Sequence, residues 1–81
     1  MRRCAVSIPS NIAEGAARGS SADYARFLTI AIGSVAELDT QLELATRLDY
    51  INAHTYEKLD TTLSSISRML IALRRSIQSK R

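Results

Sequence analysis

An all-α fold, an up-and-down antiparallel bundle of three helices, is what this sequence predicts, and three observations predict it. Apolar residues recur at alternating steps of three and four along most of the chain, the spacing that gathers them on one face of a helix. Ala, Leu, Ile, Ser and Arg are abundant beside one proline, three glycines and no tryptophan, a helical composition. The connections between the periodic runs are short, and the one around Ile51 to His54 obliges its two helices to pack as antiparallel neighbours. With 81 residues the chain makes one domain, 1–81, whose small core gives little stability margin and makes oligomerisation an early expectation.

The first helix is expected over about 2–18. Ala5, Ile8, Ile12 and Ala16 fall three or four apart, with Val6, Ala13 and Ala17 on a neighbouring stripe. Pro9 lies inside it, where it cannot donate to the Ala5 carbonyl and crowds that turn, so the helix either kinks there or restarts at Ser10 or Asn11. Gly19 suits a left-handed C′ position, and Ser20 with Asp23 three residues on forms a reciprocal cap for the second helix.

That helix is expected over about 21–50. Its seam is Tyr24, Leu28, Ala31, Val35, Leu38, Leu42 and Ala45, and a second apolar flank of Phe27, Ile30, Leu44 and Leu48 widens the buried arc enough for two neighbours. Asn52 or Thr55 then caps a third helix, about 54–79, in which Tyr56, Leu59, Leu63, Ile66, Leu70, Leu73 and Ile77 give the cleanest periodicity in the chain.

Composition narrows function. The formal charge of +3, from eleven Lys/Arg against eight Asp/Glu, favours polyanions slightly but is no nucleic-acid-coating tail. Cys4 is the single cysteine, so no internal disulfide or Cys-based zinc site forms, which fits a reducing cytoplasm. No signal peptide follows the Met1-Arg2-Arg3-Cys4 start, and no apolar run reaches membrane-spanning length.

The run Arg2-Arg3-Cys4-Ala5-Val6-Ser7-Ile8-Pro9-Ser10-Asn11-Ile12-Ala13-Glu14-Gly15, closed by Arg18, resembles the signature segment of the four-helix-bundle proteins encoded in bacterial 23S ribosomal RNA intervening sequences. Tyr24 to Ser34 with Glu37-Leu38-Asp39-Thr40-Gln41-Leu42 resembles that family's second block, and Arg68-Met69-Leu70 with Leu73 its last helix. The resemblance implies a four-helix bundle that self-associates, in known cases as pentameric rings, and carries no catalysis. It also implies a tie to RNA, through the ribosomal insertions that encode such proteins and through similarity to accessory proteins of diversity-generating retroelements. Two departures stand out. Family members carry a further helix upstream of the signature, where this chain begins, and Asp39 replaces the usual Glu. Three helices of four leave an apolar groove that another chain is expected to fill, unless the sequence is a fragment.

Arg68 and Arg75 share an outer face of the third helix, with Arg74, Lys80 and Arg81 nearby. Either they form a stripe contacting phosphates, or they complement the helix dipole opposite Glu57 and Asp60. Arg2, Arg3, Arg18, Arg26 and Arg47 add charge from the other helices, which a symmetric ring would multiply. No aromatic is interleaved among the arginines, so any RNA contact is expected to be to backbone without base stacking. Asn11, Glu14 and Arg18 are expected to join a buried polar network. Glu14 with Glu37, Asp39 or Glu43 lacks the Glu-x-x-His motifs of a bundle metal site, and His54 is read as a solvated turn residue. Gly15 to Gly19 lacks the context of a phosphate loop, no nucleophile motif is present, and Cys4 is read as a small buried residue. The expectation is therefore a non-enzymatic, homo-oligomeric scaffold or accessory protein associated with RNA or a ribonucleoprotein, without cofactor, metal, membrane or small-molecule substrate. The rival is a protein-binding module whose groove accepts a partner helix.

Overall fold

A computed structural model describes residues 2–79. It contains α1 (Arg2–Ala17), α2 (Ser21–Arg47) and α3 (Ala53–Ser79), and no strand among the described residues. The all-α bundle reading holds. Lys80 and Arg81, assigned above to the basic stripe, lie outside the described residues.

Helix α1 runs unbroken through Pro9, so the restart at Ser10 or Asn11 does not occur. Ala5 and Pro9 are both exposed, and water can therefore meet the carbonyl that proline leaves without a donor. Gly19, at φ +78°, makes the left-handed turn. Ser20 caps α2 by accepting from the Asp23 N–H at 3.1 Å. The reciprocal half of the box is missing, because the short Asp23 side chain turns to Arg26 at 3.9 Å instead.

At the far end α2 stops at Arg47, three residues short of the expected Tyr50. Asp49 takes φ 65°, its N–H reaches the Thr46 carbonyl and the Tyr50 N–H reaches Ala45. This is a Schellman stop with Asp in place of glycine. Asn52, not Thr55, caps α3, since its Oδ1 accepts from the Thr55 N–H at 2.8 Å. His54, expected in the turn, is an exposed residue of the first turn of α3.

Both α1 and α3 pack on α2, and they do not pack on each other. That is the arrangement of three corners of a four-helix bundle, with α2 the shared corner. Leu28, Ala31, Val35 and Leu42 of α2 join Leu63 and Leu70 of α3 in the core, while Ile8, Ile12, Tyr56, Ile66 and Ile77 cover it only in part. The result is an elongated slab, 46 × 20 × 12 Å with a radius of gyration of 14.1 Å, against about 12 Å for a compact chain of this length. Its 5520 Å² of accessible surface likewise exceeds the roughly 4,800 Å² usual for this mass.

The extra surface is apolar where the sequence expected burial. Leu59 and Leu73 of the α3 seam are exposed, and so are Ile30, Leu44 and Leu48 of the second α2 flank. Leu44 and Leu48 are bare because α1 has 16 residues to the 27 of α2, whereas Ile30 lies within the span of α1, between the Phe27 and Ser34 levels that α1 meets. At about 1.5 Å per residue α1 cannot shield the last turns of its partner. No helix among the described residues is long and apolar enough to cross a membrane.

Leu42→Asp or Leu70→Asp is expected to abolish cooperative melting, because each puts an unpaired carboxylate into the core at a cost of several kcal/mol, against a net folding stability of only about 5–15 kcal/mol. Retained helicity with a sharp transition would contradict the seam. Two glycines make a finer contrast. A Cβ at Gly15 would stand 2.8 Å from the Phe27 Cβ and 3.3 Å from the Tyr24 carbonyl oxygen, whereas one at Gly33 meets nothing. Gly15→Ala is expected to lower stability by about 1–3 kcal/mol and Gly33→Ala to raise it by about 0.5–1 kcal/mol, as read from urea midpoints.

Candidate nucleic-acid and assembly interface

Small and polar residues bring α1 against α2. Ser7 and Ser34 stand at nearly equal chain distances from the Gly19–Ser20 turn, and their hydroxyls hydrogen-bond at 2.9 Å across the two helices. Asn11 donates to both the Oγ and the carbonyl of Ser7, each at 2.8 Å. One turn on, buried Gly15 removes the Cβ that would hold the helices apart.

The expected network of Asn11, Glu14 and Arg18 does not form as one unit. Glu14 sits roughly 60° round the helix from Asn11, on the solvent side, and makes an exposed ion pair with Arg18 at 2.7 Å. Asn11 turns to the serines instead. Cys4 is buried.

Across the other seam, Asp39 of α2 faces Tyr56 and Asp60 of α3. The Tyr56 hydroxyl donates to Asp39 Oδ1 over a long 3.3 Å. A hydrogen bond shared with Asp60 is the main cause that lifts the Asp39 pKa above its ordinary value; burial and the charges of Asp60 and Glu43 add to it, and the Tyr56 bond opposes it. Tyr56 is raised too, first by desolvation and then by the neighbouring carboxylates. The pair was not found from sequence. Its only signal is that Asp39 and Asp60 are nearly equidistant from the turn at Asp49–Tyr50, so antiparallel packing sets them opposite each other. Ile32, Val35, Ala36, Leu63, Ser64 and Ser67 complete the shallow pocket around them.

The basic residues separate into two ends. Helix α1 runs antiparallel to α2, so Arg2 and Arg3 lie toward the α2 C-terminus, whereas Arg18, Arg68, Arg74 and Arg75 lie toward the α2 N-terminus with Arg26. Six of the eight acidic residues, Glu37, Asp39, Glu43, Asp49, Glu57 and Asp60, occupy the first of these ends. The molecule is therefore electrically polarised along its long axis.

Arg74 is not part of an outer stripe, because it is half-buried and donates across the seam to Thr29 Oγ1 at 3.1 Å. Arg68 and Arg75 are exposed, and Arg68 touches Ser65 at 3.5 Å. An aromatic does stand among the arginines, contrary to expectation. Half-buried Phe27 carries the Arg18 guanidinium 5.2 Å and the Arg26 guanidinium 5.1 Å from its ring centre.

A separate hollow on α2, lined by Gln41, Leu44, Ala45, Leu48 and Tyr50, lies beyond the level that α1 covers, and the buried Gln41 Oε1 accepts no hydrogen bond. Among the described residues no three His, Cys, Asp or Glu side chains gather as a metal site would require.

A family model described as "23S rRNA-intervening sequence protein" matches residues 1–72. No curated protein matches the chain.

A carboxyl whose pKa is raised by folding contributes stability below its unfolded pKa and loses that contribution as pH climbs through the folded value. An amide in place of the Asp39 carboxyl removes the Coulombic opposition from Asp60 and Glu43. Asp39→Asn is therefore expected to raise the melting temperature at pH 7, with the gain over the parent shrinking toward pH 4. A variant that melts lower than the parent at pH 7, with a constant offset at every pH, would contradict the pair.

Proposed function

We propose that this chain, which belongs to the 23S rRNA-intervening sequence protein family, is a non-enzymatic cytoplasmic scaffold that assembles with copies of itself and holds RNA by backbone electrostatics. The observation that carries the reading is the open apolar side left where α1 and α3 fail to meet. Leu59 and Leu73 are 38% and 37% exposed there, on the flank of α3 turned away from Asp60, Ser64 and Ser67, with Ile66 half-buried between them. A contiguous apolar strip of that kind is unusual on a soluble monomer and is covered in working assemblies.

The RNA half of the reading rests on the family and on the polarised charge. A field concentrated at one end and repeated by symmetry attracts a polyanion more strongly than a net +3 implies.

Size exclusion with light scattering is expected to give a mass that is a multiple of 8.9 kDa, and Leu59→Glu/Leu73→Glu is expected to lower it while keeping helicity. A monodisperse 8.9 kDa species at micromolar concentration would overturn the assembly. RNA association is expected to weaken steeply with salt and to fall again in Arg68→Glu/Arg75→Glu. Binding indifferent to ionic strength would overturn the electrostatic half.

A further inference from the structure

We propose that Arg18, Arg26 and Arg74 form one guanidinium band across all three helices, and that this band, rather than the outer stripe of α3 alone, grips the phosphate backbone of single-stranded RNA. The inference rests on the RNA reading above and assigns it a place. Arg18 follows α1 and lies over the Phe27 ring; Arg26, one residue before Phe27 on α2, lies over the same ring. Thr29, three residues after Arg26 and hence beside it on the helix surface, accepts from Arg74 of α3. The two sets of contacts, Arg18 and Arg26 on Phe27 and Arg74 on Thr29, thus lie side by side on α2 and together reach from α1 to α3, and Arg75 follows Arg74 in sequence.

Two of these arginines rest on an aromatic ring and the third on a hydroxyl, partners that fix a guanidinium without cancelling its charge. Opposing charge at the band is light. Glu14 takes one nitrogen of Arg18 at 2.7 Å, and Asp23 stands 3.9 Å from Arg26. Both pairs are exposed and cheap to share, and each guanidinium has five N–H donors in all. The other acidic residues lie at the opposite end of the molecule. Phe27 is half-buried under the two arginines, so it orders the cations and leaves the RNA contact to phosphate.

The test measures fluorescence anisotropy of a labelled oligouridylate against the full chain over a range of potassium chloride concentrations. Arg18→Ala/Arg26→Ala/Arg74→Ala is expected to flatten the log-log salt slope by about 2, since each single-strand phosphate that a cation neutralises adds about 0.7 to it. Arg47→Ala, at the acidic end and paired with Glu43, is expected to leave the slope unchanged. Phe27→Leu keeps every charge, and it is expected to weaken binding about two- to fivefold with no change in slope, the effect of removing cation–π ordering; Phe27→Tyr is expected to retain the parent affinity. Helicity by circular dichroism confirms that each variant is folded. If the parent binds and the triple variant binds with the same slope, the band is overturned while the RNA reading stands. If the parent shows no salt-dependent binding, both fall.

Discussion

Because the backbones of α1 and α3 stay apart, both helices pack chiefly on α2. The core is built around one strip of α2, to which α3 adds Leu63 and Leu70. Leu28 and Ala31 have no exposed surface, and Val35, Leu42 and Ala45 have little. Alanines at positions 25, 31 and 45 keep the strip narrow enough for a neighbour to close in on either side. Few other side chains are deeply covered, and Leu28 is the only large one wholly inside among the described residues. A core of this thickness gains little from area alone.

The two seams meet that strip by different means. Against α1 the contact is small and polar: Gly15 lets the backbones approach, and the Asn11–Ser7–Ser34 hydrogen bonds fix the register at one level. Against α3 the contact is a leucine ladder through Leu63 and Leu70, interrupted on its outer flank by Asp39 and Asp60. Polar pairs of this sort add little net energy but penalise a slipped register, since sliding would strand a hydroxyl or a carboxyl against hydrocarbon. The carboxyl pair goes further, because the charge of Asp60 disfavours ionisation of Asp39 across the seam.

Periodicity made the helices legible in the sequence, along with their order and the residues that form the central strip, because a step of 3.6 residues leaves its mark on composition. Gly19, Ser20 and Asn52 announced the turns by their backbone chemistry. Three features stayed hidden for related reasons. The exposure of Leu44 and Leu48 depends on the length of α1, which no periodicity in α2 encodes. Asp39 and Asp60 meet only once antiparallel pairing is fixed, and Phe27 looked like core until α1 placed Arg18 across its ring. The polar trio of Asn11, Glu14 and Arg18 failed in the same way, since an angular offset of roughly 60° decides between a serine and solvent.

The proposed assembly and the proposed RNA contact do not compete for surface. Arg26 and Val35 are nine residues apart, which turns them to opposite sides of α2 at about 100° per residue, and their burial agrees: Val35 is 3% exposed and Arg26 lies open to solvent. The apolar side therefore opens away from the guanidinium band. Copies that close over Leu59, Ile66 and Leu73 leave Arg18, Arg26 and Arg74 facing outward. Had the arginines lined the groove, burial of unpaired cations would have opposed association by several kcal/mol per charge. With the faces separated, each added copy raises the local density of phosphate-binding groups without that cost, and an electrostatic contact too weak in one chain gains by repetition.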